Sequence, residues 1–321
     1  MITHRSGKPF TDRRDYYQEV TDKIIAALEG GTRPWRQPWK NGSPGTPINA
    51  TTGRPYHGIN VLLLAMTSFT LGGDPRFCSY KQASDRGWQV RKGERGTTVF
   101  FFKRMLVEDC DAAPGAEDRT RAIPMLRAYT VFNGSQIEGM PAYVAPNVTE
   151  APWRRPEAAD IILTNSKAVI RVGGDRAFYS PSLDFIQLPE PASFESPEEF
   201  ACTALHEAAH WSGAKNRLNR DLTGRFGTNA YAQEELRAEL ASVFIGGTLN
   251  LPCDIPNHAN YIASWAKNLR ENKREIFRAA ADAQRIADYL LAFHPDYAKH
   301  ADSAPDVNKN SEDAAELAEA A

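Results

Sequence analysis

Thr203-Ala204-Leu205-His206-Glu207-Ala208-Ala209-His210-Trp211 is the stretch on which the reading of this chain turns. On an α-helix, positions four apart lie on one face, about 40° from each other. Both imidazoles can therefore reach one tetrahedral ion, with Glu207 beside them as a general base for a water. Phe200, Leu205 and Trp211 frame the motif with apolar contacts, and the surrounding residues favour a helix. Two histidines leave a zinc ion incomplete, because a catalytic site wants three protein ligands and one open position.

The third ligand is expected on Gln233-Glu234-Glu235-Leu236-Arg237-Ala238-Glu239-Leu240-Ala241-Ser242. Turning Leu236, Leu240, Val243 and Phe244 to the core places Glu235 and Glu239 on the flank of that stripe, and Glu234 on the wet side. Carboxylates at a core border need a partner. Glu235 is read as the third ligand and Glu239 as the acceptor for a ligand histidine's Nδ1–H, with the reverse assignment open. Zinc is the expected ion, with manganese or cobalt as alternatives. Such a site points to peptide-bond hydrolysis, with Glu207 moving the proton to the leaving amine. Tyr231 is an oxyanion-stabiliser candidate, while Arg217, Arg220 and Arg225 either line the groove or solvate the loop. Cys202, one turn before His206, reads as a buried thiol more readily than as a ligand.

The 321 residues suit two domains, and 42% hydrophobic with 24% charged content is that of a globular chain. No apolar run is long enough to span a membrane, and the first residues show no secretory h-region. Cys78, Cys110, Cys202 and Cys253 form no CxxC pair, which suggests free thiols in a reducing cytoplasm. The net charge of −2 hides an asymmetry: residues 1–104 hold 17 Lys and Arg against 8 Asp and Glu, and the remainder holds 21 against 32. A basic front joined to an acidic back suggests that the front meets a polyanion.

Helical spacing covers residues 13–29 and 60–71, and a short helix is expected within 77–87. Strands are expected at 97–103 and 126–132, paired across a loop at 108–122. Strand signals recur at 168–172, 177–180 and 185–188, with Gly173-Gly174-Asp175 as a turn between the first two. Ser196-Pro197-Glu198-Glu199 starts the motif helix, and helices follow at about 232–249 and within 259–293. The fold class is therefore α+β. A front domain (1–140) and a Pro-rich linker (141–158) lead into the metal domain (159–295). The acidic, alanine-rich tail (296–321) is expected to be disordered.

In the front domain, Arg33, Trp35, Arg36, Trp39, Arg54, Tyr56, Lys81, Trp88, Arg91, Lys92 and Arg95 interleave cations with aromatic rings. Cations that follow phosphates and rings that stack on bases are what sequence-tolerant single-strand binding requires. No recognition helix of the kind that reads duplex DNA is evident. Large aromatics taken singly are more often core residues, so the collective pattern and the charge carry this reading.

Several segments together resemble the ArdC family of antirestriction proteins. In the front half these are Arg33-Pro34-Trp35, Thr52-Gly53-Arg54-Pro55-Tyr56-His57-Gly58-Ile59-Asn60, Tyr80-Lys81-Gln82-Ala83, Gly87-Trp88-Gln89-Val90-Arg91-Lys92-Gly93-Glu94-Arg95-Gly96 and Val131-Phe132-Asn133. In the back half they are Leu205 to Gly213, Arg225-Phe226-Gly227 and Tyr231 to Glu239. The likeness covers roughly residues 13–293; the loop at 108–122 and the acidic tail fall outside it. It implies a single-stranded-DNA-binding domain related to the front part of conjugative primases, followed by a zincin-like metallopeptidase domain. It also implies a role in shielding incoming mobile-element DNA, with a restriction enzyme as a conceivable protein substrate. Two other readings remain: a DNA-coating protein whose metal site is structural, and a primase accessory, against which no nucleotidyl-transfer carboxylate cluster is apparent.

Overall fold

In the computed structural model the described residues are 14–30, 35, 45–108, 120–144, 154–225, 227–253 and 261–301. The chain opens with α1 (Tyr16–Glu29), started by the Asp15 side chain accepting from the Gln18 N–H. It buries Val20, Ile24, Ile25 and Leu28 on one face. There follow β1 (Ile48–Asn49), α2 (Ile59–Thr70), β2 (Arg76–Cys78) and α3 (Tyr80–Asp85), the last started by a Ser79–Gln82 capping box. The front region is completed by β3 (Gln89–Val90), β4 (Thr97–Glu108), β5 (Thr120–Asn133) and β6 (Ile137–Glu138).

β4 and β5 form a long antiparallel hairpin running from Thr97 opposite Val131 to Glu108 opposite Thr120. The pairing expected at 97–103 and 126–132 is present, and both strands continue into what reads as a loop in the sequence. β5 also pairs with β2, and β2 with β1, giving the order β1-β2-β5-β4. β3 and β6 form a separate antiparallel pair.

The back region contains α4 (Arg154–Ser166), β7 (Val169–Val172), β8 (Phe178–Ser180), β9 (Phe185–Leu188), α5 (Pro197–Trp211), α6 (Asn229–Leu249), α7 (Ile262–Glu271), α8 (Glu275–Leu291) and α9 (Pro295–Ala301). The three short strands are ordered β7-β9-β8, with β9 parallel to β7 and antiparallel to β8. The turn at Gly173-Gly174-Asp175 therefore does not close a hairpin between β7 and β8. β9 takes the middle because Phe185, Ile186 and Leu188 are all buried, as a strand covered on both faces must be. Residues 295–301 are helical, where the sequence reads as the start of a disordered tail; 302–321 lie outside the described residues.

One buried cluster runs through both regions. Val20, Ile24, Leu28, Trp35, Leu62 and Phe100 from the front join Ile162, Leu205, Leu236, Trp265, Phe277 and Leu290 from the back. Tyr16 and Phe277 each meet Phe100 edge to face at 5.6 Å, and Tyr17 meets Phe277 at 4.8 Å. The Thr21 hydroxyl donates to the Lys273 carbonyl at 2.8 Å, adding a polar tie across the same seam. Half of the Pro-rich stretch read as a linker, residues 145–153, lies outside the described residues, and 154–158 belong to α4.

The cysteine reading is corrected. Cys202 on α5 is joined to Cys253, just past α6, with the two Cα atoms 5.1 Å apart. Their separation of 51 positions carries no spacing cue, so only the fold reveals the pair. Gly246 lets α6 pass this junction, since a Cβ there would sit 2.8 Å from Cys253 Sγ. Cys78 is a buried free thiol, and Cys110 lies outside the described residues. Among the described residues no helix is long and apolar enough to cross a membrane.

Candidate metal centre and basic surface

α5 begins where the sequence places it. The Ser196 side chain accepts from the Glu199 N–H, Pro197 occupies the first turn, and Glu198 and Glu199 complement the positive end of the helix dipole. Its buried face carries Ala201, Ala204, Leu205, Ala208 and Ala209. α6 packs against it with Ala238 and Ala241 fully buried. Small residues on both faces let the helices approach closely and bring their polar side chains together.

The structure gathers His206, His210 and Glu235, each offering one ligand atom, all within 4.8 Å of one another. His206 Nε2 and His210 Nε2 are 3.2 Å apart. Glu235 Oε1 lies 3.5 Å from His210 Nε2, and Oε2 lies 3.8 Å from His206 Nε2. Bonds of about 2.1 Å to a tetrahedral ion leave donor atoms roughly 3.4 Å apart, so these separations fit a divalent ion.

His210 is held from behind. Its Nδ1 lies 3.2 Å from Glu234 Oε1, and that carboxylate accepts from Arg220 Nη2 at 2.7 Å and Nε at 3.1 Å. Arg220 also donates to the Ala209 carbonyl and the Ser212 hydroxyl. A proton on Nδ1 facing Glu234 leaves the Nε2 lone pair directed at the cluster. The sequence reads this support onto Glu239 and turns Glu234 to water; the structure puts Glu234 behind His210. The correction has a plain cause: α6 is buried on several sides, including Glu234, Glu235, Ala238, Glu239 and Ser242, so a single apolar stripe does not set its phase.

Glu239 is buried one turn after Glu235, and its Oε1 accepts from Trp35 Nε1–H at 3.4 Å. Tyr231 lies one turn before Glu235, with Tyr261 Oη 3.4 Å from its hydroxyl. Burial, reinforced by the Glu235 charge, raises the Tyr231 pKa.

Among the protein groups alone, burial pushes Glu207 up to about 7; Glu235 adds to the rise, and His210 opposes it. Burial by itself lowers His210, but Glu234, Glu235 and Glu207 override it and bring it to about 9. Glu207 also accepts a backbone hydrogen bond at Tyr179 on β8. β8 is an edge of its sheet. Arg217 fastens that edge to the end of α5: it lies 4.0 Å over the Trp211 ring and donates to the Trp211 carbonyl, the Tyr179 hydroxyl and Asp184. Arg225 is exposed in the loop ahead of α6.

The residues expected to contact nucleic acid divide. Trp35 is 2% exposed and packs on Trp265 at 5.7 Å, so it is a core residue. Tyr56 is buried among Leu64, Phe77, Val99 and Val131. Both are corrections to a stacking role, and both arise because the core claims large rings first. Arg54, Lys81, Arg91, Lys92 and Arg95 are exposed, and Trp88 is half-buried. Arg33, Arg36 and Trp39 lie outside the described residues. Two further residues of the front region are exposed: Tyr80, 54% exposed with its hydroxyl accepting from Gln89 Nε2, and Arg86. Arg86 had no signal beyond its charge.

Residues 157–282 match the family described as zincin-like metallopeptidase, and residues 14–132 match the N-terminal domain of the anti-restriction factor ArdC. The metal-free crystal structure of the antirestriction protein ArdC from plasmid R388 superposes with a TM-score of 0.74 at 37% identity. It covers 88% of this chain and 99% of that one. The chain belongs to the ArdC family of antirestriction proteins. Its fold is the mixed helix-and-sheet arrangement of ArdC, with an ArdC N-terminal domain followed by a zincin-like domain. A manganese-bound structure of the R388 protein gives a TM-score of 0.70, in line with a divalent-metal site. The uncharacterized protein y4eC of Sinorhizobium fredii is 42% identical, over 92% of this chain and 97% of its own length. The DNA primase TraC of Escherichia coli is likewise 42% identical, over 88% of this chain. The chain spans about a quarter of the length of that relative, 27%.

Proposed function

We propose that this ArdC-family protein is a metal-dependent peptidase carried on a single-stranded-DNA-binding region, and that it protects incoming mobile-element DNA from restriction. The observation that carries the peptidase reading is Glu207, a buried acid held beside the His206–His210–Glu235 cluster. A purely structural metal site needs no such neighbour.

His206, His210 and Glu235 would hold the ion. Zinc suits this donor set, and one structure of the R388 relative is manganese-bound. A divalent ion supplies Lewis acidity and lowers the pKa of a water brought to it. Glu207, buried beside the cluster, is suited to take a proton and return it to a leaving nitrogen. Glu234 and Arg220 keep His210 in one orientation and tautomer. The open edge of β8 offers backbone groups beside Glu207 on which an extended peptide can pair, and Arg217 keeps that edge in place. A DNA-bound protein such as a restriction enzyme is the substrate class this reading implies.

For the DNA, Lys81, Arg86, Arg91, Lys92 and Arg95 supply phosphate contacts, and Tyr80 and Trp88 supply rings for stacking. The likeness to a segment of a DNA primase favours a second reading, in which the chain coats single strands or assists a primase and its metal site is structural. Glu207→Gln separates the two. A restriction-protection assay in cells carrying this variant is expected to show lost protection with metal content and DNA affinity intact. Full protection by Glu207→Gln would transfer the function to DNA coating.

A further inference from the structure

The turn of α6 that carries Glu235 is clasped by two tryptophans, one of which comes from the front region. Ala232, Glu235 and Glu239 lie three and four residues apart, hence along one side of the helix. Below Glu235, Trp265 on α7 donates its Nε1–H to the Ala232 carbonyl at 2.9 Å. Above it, Trp35 donates its Nε1–H to Glu239 Oε1. The two indoles lie against each other, with ring centres 5.7 Å apart and planes tilted by 57°. A line of rings leads back to the site: Trp265 stacks on Tyr261 at 6.1 Å, and Tyr261 meets Tyr231 at 5.8 Å. Tyr231 in turn lies one turn before Glu235 and feels its charge.

All the members are held tightly. Trp265 is fully buried, and Trp35 and Glu239 are almost so. Trp35 belongs to the segment joining α1 to β1, some 200 residues from α6 in sequence. An indole from outside the zincin-like region thus packs beside the turn that carries Glu235.

We infer that Trp35 is a positioning residue for the metal centre, so that the ion site is completed by the front region and does not belong to the back region alone. The inference rests on the reading of His206, His210 and Glu235 as ion ligands. It also implies reciprocity: an ion bound between α5 and α6 strengthens the seating of Trp35, because coupling between two binding events is the same in both directions.

Titration calorimetry of the full chain with Mn²⁺ and with Zn²⁺ tests it, on wild type, Trp35→Phe, Trp35→Ala and Glu235→Ala. Each sample is first checked for folding by circular dichroism. Trp35→Phe keeps a ring against Trp265 but loses the N–H to Glu239; Trp35→Ala loses both. The expected result is graded: Trp35→Ala weakens ion affinity by roughly 10-fold, near the lower limit for loss of a supporting contact around a metal, and Trp35→Phe by less. If Trp35→Ala does not fold, the phenylalanine variant alone decides, through its affinity and a smaller ion-induced rise in melting temperature. Wild-type affinity in a folded tryptophan variant overturns the inference, since a merely structural role would change the melting temperature and not the ion's dissociation constant. If the wild type takes up no ion, or Glu235→Ala binds as well as wild type, the ligand reading itself is wrong and the inference falls with it.

Discussion

The metal centre and the basic surface of the front region are built by opposite physical rules. Around His206, His210 and Glu235 the groups are buried or half-buried and most are fixed by a second group: Glu234 behind His210, Arg220 behind Glu234, Tyr179 against Glu207. Around Lys81, Arg86, Arg91, Lys92 and Arg95 the charges face water, and the contacts among them are few and exposed, such as Arg91 with Glu94. The first arrangement is preorganised, so one substitution should do great harm. The second is additive, so each substitution should do little, and salt should weaken all of it together.

The sharpest contrast is expected at Glu207. Glu207→Gln should lower peptide turnover by about 10²–10⁴-fold, the usual contribution of a positioned general base, with ion stoichiometry unchanged. A comparable loss from any single cation of the basic surface, measured as DNA affinity, would break the contrast. Trp35→Ala comes next: removing a buried indole should cost roughly 3–5 kcal/mol of stability, read from chemical denaturation. Trp88→Ala, at a half-buried ring, should leave stability largely intact and instead weaken single-strand binding by about 1–3 kcal/mol. If the two tryptophans exchange these effects, Trp35 reaches DNA and the core assignment is mistaken.

Glu234→Ala should weaken ion binding by about 10–100-fold, as loss of a group orienting a ligand histidine does. Burial raises the Glu234 pKa, but His210 and Arg220 outweigh it and hold the carboxyl below its ordinary range. Its contribution is therefore present above the unfolded-state value, about 4.3, and is lost as pH falls through the lower folded one. A melting temperature that did not drop with acid more steeply in wild type than in Glu234→Gln would count against this. The smallest effect belongs to Arg91→Ala or Lys92→Ala. Each should reduce the slope of log affinity against log salt by roughly 0.7 for single strands, with no change in melting temperature.

What could be read in advance follows the same division. α5 was legible because a helix start, an apolar face and an i,i+4 histidine pair are all local. The β4–β5 pairing was legible because two β-rich runs flank one connection. The insertion of β9 between β7 and β8 was not, because it depends on which of three short strands the core covers most fully. Glu234 was misplaced because α6 is buried on several sides and carries little amphipathic signal. Trp35 and Tyr56 were misplaced because composition counts rings without saying which ones a core will take. The pairing of Cys202 with Cys253 needed two helices to be packed before it became visible.

In the proposed function, His206, His210, Glu235 and Glu207 form one peptidase centre. Its most direct test is mass spectrometry of an unfolded protein substrate incubated with metal-loaded wild type and metal-loaded Glu207→Gln. New peptide termini are expected with wild type, their loss on chelation, and none above background with the variant at equal ion content. Cleavage by Glu207→Gln at the wild-type rate, or no cleavage by wild type carrying one ion per chain, would contradict it.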